Sequence, residues 1–96
     1  MKFGLTNETY QKIKEVINQY QEYIFKVFGS RARGDFKYNS DIDIAVEGKI
    51  NREKQIEIMN HFDALDIPYM IDIVFICELE KKELLESIKK DGVIYE

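Results

Sequence analysis

Apolar residues recur along the chain with two periods. Ile13, Val16, Ile17 and Tyr20 fall on one stripe at helical spacing, with Lys12, Lys14, Glu15, Asn18 and Gln19 on the other side. Thr6 or Asn7 can cap this first helix, and Leu5 before them can anchor it. Tyr23 to Phe28 is rich in β-branched and aromatic residues and reads as a strand ending at Gly29-Ser30. Residues 31–40 hold charge, glycine and asparagine with little apolar periodicity, which predicts a loop or a short irregular helix. Ser40 to Val46 reads as a second strand, stopped near Gly48. Asn51 can cap a second main helix with Ile56, Met59, Phe62 and Leu65 inward. Tyr69 to Ile76 is a third strand and the most apolar one. Residues 80–90 form a last helix with Leu84, Leu85 and Ile88 on one side and Gly92 as its C-terminal cap. The tail Val93-Ile94-Tyr95 is expected to dock on the body or on a partner.

The order α-β-β-α-β-α predicts an α+β (mixed α/β) fold, a small mixed sheet packed with helices. The helix between the second and third strands allows them to run parallel through a right-handed crossover. The direction of the first strand relative to the second is left open by the long loop between them. With 96 residues, no repeat and no linker, residues 1–96 are expected to form a single domain.

Composition narrows the function. The formal net charge is −4, which argues against direct, sequence-blind nucleic-acid binding but not against a nucleotide held through a metal. One cysteine, Cys77, cannot make an internal disulfide, so a reducing, cytoplasmic setting is the expectation. No apolar run has transmembrane length, and the N-terminal residues lack a signal-peptide core, so no membrane role is expected.

Three aspartates stand where aspartate is disfavoured. Asp41, Asp43 and Asp72 lie at the start of, or within, the two best strand candidates. Alternation puts Asp41, Asp43 and Ala45 on one face and Ile42, Ile44 and Val46 on the other. The first two carboxylates are then roughly 6.5–7 Å apart at Cα and repel unless something positive lies between them. Asp72 shares a face with Met70 and Val74, and points at the pair if the two strands are neighbours. Carboxylates without a cysteine or histidine pair suit a hard cation, Mg²⁺ first and Mn²⁺ next. An isolated D-x-D is more often a turn and a solvated sheet face.

The segment upstream changes that balance. Gly29 lets the backbone turn and approach a ligand, and Ser30 adds a hydroxyl donor. If a helical turn follows, its free N–H groups favour an anion. Arg31 and Arg33 come next, and arginine matches phosphate geometry.

Residues 29–44 read GSRARGDFKYNSDIDI. This resembles the signature of the polymerase-beta-like nucleotidyltransferase superfamily, and most nearly its minimal members, G-S-x-A-R-G-x5-S-D-x-D-[LI]. Every fixed position is filled, and Asp72 in YMIDIVFI fits the third carboxylate of a later strand. The resemblance implies a small mixed sheet with helices on one side. It implies that Gly29 and Ser30 contact a triphosphate and that Asp41 and Asp43 bind Mg²⁺. Asp72 would complete the metal site and help activate the attacking hydroxyl. Arg31 and Arg33 match the motif's basic positions and are assigned to nucleotide phosphate binding or loop stabilisation. Minimal members look like antitoxins of two-gene modules whose partner is a HEPN-type ribonuclease toxin. The implied reaction is transfer of AMP from ATP to a hydroxyl of that toxin, a tyrosine, which silences it.

Two other functions stay in view. The chain could neutralise a toxin by covering it, with a vestigial nucleotide site; the complete set of three aspartates plus Gly-Ser favours the enzyme. AMP transfer to a small molecule ranks lower, because 96 residues leave no room for an acceptor domain. His61 has no partner in sequence and reads as a surface or packed residue. Cys77 reads as a buried or semi-buried thiol rather than a nucleophile. Lys81, Lys82, Lys89 and Lys90 alternate with Glu83 and Glu86 as a solvated helix face.

Overall fold

A computed structural model describes residues 2–95. Two segments capped by their own side chains begin the two longest helices. Thr6 accepts a hydrogen bond from the Thr9 amide at 3.2 Å and starts α1, Asn7–Ile17, which a 3-10 turn extends to Tyr20. Asn51 Oδ1 accepts from the Lys54 amide at 2.8 Å and starts α3, Arg52–Asp63. Each side chain satisfies one of the amides that a helix start leaves unpaired.

Between them lie β1, Ile24–Phe28, the short α2, Ser30–Arg33, and β2, Ile42–Glu47. After α3 come β3, Ile71–Phe75, α4, Lys82–Asp91, and a two-residue β4, Val93–Ile94. The sheet order is β3-β2-β1-β4. β2 and β3 run parallel, and β1 is antiparallel to both β2 and β4. The long loop therefore joins an antiparallel pair. The tail docks on the body: β4 pairs with β1, and the buried Tyr95 donates its hydroxyl to the Tyr10 carbonyl at 2.9 Å.

The two faces of the sheet differ. Phe25, Val27, Ile42, Ile44, Val46 and Phe75 pack with Ile13, Val16 and Tyr20 of the first helical segment and with Ile58 and Phe62 of α3. On the other face Phe28 and Ala45 meet Ile88 of α4, with Val74 and Leu84 alongside. The resemblance implied helices on one side; α4 instead covers part of the second face, because Leu84 and Ile88 form a stripe that Phe28 and Ala45 receive. Gly92 ends α4 with its N–H donating to the Ile88 carbonyl at 2.8 Å. A Cβ there would collide with that same carbonyl, so glycine is needed for close approach rather than for a left-handed cap.

The inward stripe of α3 is corrected. Ile56 and Met59 are 45% and 41% exposed, while Gln55, Ile58 and Phe62 are buried. The two registers share Phe62. Ile58 and Phe62 supply the apolar burial, and Gln55 is accommodated beside them because its amide nitrogen donates to the Ile50 carbonyl at 3.0 Å and to Glu78 at 2.8 Å. Cys77 is also corrected: it sits exposed in the 3-10 turn after β3. His61 lies partly buried in the last turn of α3, against the Tyr20 hydroxyl, which also donates to Glu57 at 2.7 Å.

Candidate active site

The motif gathers where β1 ends and β2 and β3 begin. Register aligns Phe28 with Asp43 and Asp43 with Asp72, one row across three strands. Alternation places Asp43 and Asp72 on the face opposite Ile42, Ile44, Ile71 and Ile73, which belong to the main core. Asp41 precedes β2 and is exposed. The Ile42 amide donates to the Met70 carbonyl at 2.8 Å, so the start of β3 is pinned beside Asp41.

Gly29 follows Phe28 and has φ +74, which L side chains rarely adopt. A Cβ at Gly29 would lie 2.5 Å from Asp43 Oδ2. The turn of the motif and its second aspartate are thus in direct apposition, and any larger residue at 29 would push them apart. Ser30 opens α2, whose first amides have no partners within the helix. Gly34, at φ 91, closes that helix with its N–H on the Ser30 carbonyl.

The two arginines have different jobs. Arg31 is 2% exposed and donates to the Phe3 carbonyl at 2.8 Å and to the Ser40 carbonyl from Nη2 at 2.8 Å and from Nε at 3.1 Å. Its guanidinium also lies 4.9 Å from the Phe36 ring centroid and 4.8 Å from that of Tyr69. Of the two roles expected for Arg31, these contacts match loop stabilisation. A nucleotide phosphate contact is disfavoured, because Nε, Nη1 and Nη2 are buried and already donate to backbone carbonyls. Its anchor at Ser40 immediately precedes Asp41, so Arg31 sets where that carboxylate emerges. The Ser40 hydroxyl accepts from the Lys37 amide at 2.8 Å and closes the turn before it.

Arg33 is 43% exposed and pairs with Asp35 at 3.2 Å and with Asp91 of α4 at 3.5 Å. It is the cation close enough to act on Asp43. Burial, then Asp72, then Asp41 push the Asp43 carboxyl above its ordinary range, and Arg33 opposes them. Sequence reasoning does not reach Asp91, which carries no motif and sits on the last turn of a helix remote in sequence.

The chemistry of the set suits a hard divalent cation: Asp43 is in register with Asp72 and feels the charge of both Asp72 and Asp41, and none of the three carboxylates is in a salt bridge among the described residues. The three aspartates do not close a cage alone. Among the described residues no group of three His, Cys, Asp or Glu side chains is gathered tightly enough to hold an ion by itself. A cation here would need water and phosphate oxygens to complete its shell. A cavity of about 220 Å³ opens beside Asp41. A larger one of about 570 Å³ lies at the β4 edge against Lys2, Phe3 and Val93, and includes none of the motif residues.

Residues 11–96 match the family described as polymerase beta, nucleotidyltransferase. The chain belongs to that family. No curated protein gives a significant match. Among solved structures, it is similar to a toxin–antitoxin crystallised with AMP-PNP, at 24% identity and TM-score 0.67, covering 91% of this chain and 72% of the other. It is similar to the toxin–antitoxin MntA-HpeT in an Asp-to-Glu double mutant, at 22% identity and TM-score 0.66, covering 91% and 72%. A candidate nucleotidyltransferase of Sulfolobus solfataricus has 22% identity and TM-score 0.51, covering 88% and 77%. At these identities the neighbours establish the shared fold. Among the described residues no helix is long and apolar enough to cross a membrane.

Proposed function

We propose that the chain is a Mg²⁺-dependent adenylyltransferase and the antitoxin of a toxin–antitoxin pair, passing AMP from ATP to a hydroxyl, a tyrosine, of a HEPN-type toxin. The observation that carries the reading is the apposition of Gly29 with Asp43, with Asp72 in register beside it. A triphosphate at the Gly29-Ser30 turn would then end beside the carboxylates. Fold neighbours that are toxin–antitoxin complexes, one holding AMP-PNP, support the choice of partner and nucleotide.

In this reading Gly29 and Ser30 hold the β- and γ-phosphates and Arg33 exchanges a carboxylate partner for phosphate oxygen. Asp41 and Asp43 would hold the Mg²⁺, with Asp72 completing the set. Bound there, the ion supplies charge stabilisation for the attacking and leaving oxygens. The acceptor hydroxyl attacks the α-phosphorus in line. A new O–P bond forms, the bond to the bridging oxygen breaks, and pyrophosphate leaves with its electron pair. Asp72, solvent-exposed and level with Asp43, takes the hydroxyl proton. Positioning and electrostatics do most of the work.

The test is intact mass. The purified chain is incubated with the protein encoded beside it, ATP and Mg²⁺. The expected result is a gain of one AMP, or a multiple, on the partner, removed by EDTA. A stable complex with no mass gain would instead support neutralisation by covering. Mass gained only by an added aminoglycoside would support the small-molecule reading.

A further inference from the structure

The family match begins at residue 11, yet residues ahead of it reach the candidate site. Lys2–Gly4 forms a 3-10 turn, closed by the Leu5 amide on the Lys2 carbonyl at 3.0 Å. Phe3 has φ 57 and Gly4 has φ 72, so two successive residues have positive φ. Phe3 is the one non-glycine residue with positive φ among the described residues. A bulky side chain adopts that conformation at a cost, and it persists where the surroundings over-determine it. Three contacts do so here. The Phe3 and Tyr95 rings stack with centroids 5.8 Å apart. Leu5, fully buried, anchors the chain just after the turn. The Phe3 carbonyl accepts from Arg31 Nη1 at 2.8 Å.

That last contact completes a fork. Nε and Nη2 of Arg31 converge on one acceptor, the Ser40 carbonyl, at 3.1 and 2.8 Å. The Phe3 carbonyl is a second, separate point, and two points fix the orientation of a planar guanidinium. Arg31 also lies over the Phe36 and Tyr69 rings. Tyr69 leads into β3, where the Met70 carbonyl accepts from the Ile42 amide at 2.8 Å. Arg31 therefore touches the chain just before Asp41 and just before the strand of Asp72. It is buried, so without the Phe3 carbonyl Nη1 would be a donor shut away from water, and the group would have to turn to satisfy it. Turning it displaces the Ser40 carbonyl, and Asp41 with it. A Cβ at Gly4 would collide with the Phe36 ring and come within 3.1 Å of Arg31 Nη1, so glycine is needed for the turn to seat.

We propose that the turn Lys2–Gly4 is a positioning element of the site: through Arg31 it fixes where Asp41 stands relative to Asp43 and Asp72. The consequence for metal binding rests on the metal assignment made above; the placement of Asp41 does not.

Gly4→Ala tests this without altering Arg31 or a carboxylate, because its methyl meets Phe36 and φ 72 is unfavourable for alanine. Neither readout needs transfer. In the metal-free chain, amide hydrogen exchange of Ile42 is compared with that of Ile44, and the ratio separates local opening from a global loss of stability. Gly4→Ala should raise the ratio. With AMP-PNP present, Mn²⁺ followed by its EPR signal should bind the variant about tenfold more weakly, as when a group that orients a metal ligand is removed. Ile58→Val, in the core on α3, is the control: it lowers stability and should move neither readout. In an Arg31→Lys background Gly4→Ala should add nothing, because the fork it acts through is gone. An unchanged ratio, an unchanged Mn²⁺ affinity, or an equal effect of Gly4→Ala in both backgrounds would overturn the proposal. A raised ratio in Gly4→Ala, with a wild type that binds no Mn²⁺, would uphold the placement of Asp41 and overturn the metal assignment instead.

Discussion

Ile44 and Asp43 are adjacent in β2, yet their side chains enter two different environments. Ile44 points into the cluster shared with α1 and α3 and is fully buried. Asp43 points to the face where only Phe28, Ala45 and a few neighbours pack with α4, and it keeps contact with solvent. One face of the sheet lowers the free energy of the fold through apolar burial. The other holds like charges that repel, a cost the first face must offset. The same strand can serve both ends because its side chains alternate.

Changing one face at a time separates the two roles most clearly. Asp43→Asn should lower AMP transfer by about a thousandfold or more, as loss of a group that supports transition-state charge does. Its effect on stability should have the opposite sign. The folded state raises the Asp43 pKa, so its contribution is fully present below the unfolded value and is lost as pH rises through the folded one. At pH 7 the asparagine removes that loss, and the melting temperature should hold or rise. Full activity in this variant would sink the assignment of the site. Ile44→Ala, one residue on, should cost about 3 kcal/mol and lower the melting temperature by about 15 °C. At temperatures where it stays folded, it should keep most of the nucleotide affinity.

Much of this division was legible because a two-residue alternation carries it. Ile42, Ile44 and Val46 against Asp41, Asp43 and Ala45 can be sorted from sequence, and so can the capping residues Thr6 and Asn51. The motif of residues 29–44 named the family through its spacing, and the match over residues 11–96 agrees. The rest was hidden where polar residues do the work of apolar ones. Gln55 is buried because its amide finds two acceptors, which no hydrophobic stripe reveals. Arg31 is buried because carbonyls from residues 3 and 40 converge on it, a meeting set by tertiary structure. β4 was illegible as a strand because two residues carry no periodicity; pairing with β1 creates it.

Arg31 and Arg33 sit in one short helix and serve opposite ends. Arg31→Met should leave the Phe3 and Ser40 carbonyls without their donor and cost about 2–3 kcal/mol, read as a lower denaturant midpoint. Arg33→Met removes two pairs in which its side chain is well exposed, where solvent screens the charges. Its stability should barely move while ATP affinity falls. The reverse pattern, a stable Arg31 variant with weak ATP binding, would return Arg31 to the phosphates.

The smallest effect tests whether the tail belongs to the structural side. Tyr95 is buried against Phe3 and Tyr10, with ring centroids 5.8 and 4.6 Å away, and its hydroxyl reaches the Tyr10 carbonyl. Tyr95→Phe keeps the stacking and deletes one hydrogen bond, so it should cost about 1 kcal/mol at pH 7. Burial also raises the Tyr95 pKa, so the folded state favours the neutral phenol. That contribution is complete below the unfolded value near 10 and is lost as pH rises through the folded value. The phenylalanine variant should therefore lose less stability than wild type between neutral pH and pH 11, and the gap between them should narrow as pH climbs. A gap that stays constant would mean that Tyr95 is not held neutral by the fold, and that the tail is bound less tightly than its packing against Phe3 and Tyr10 implies.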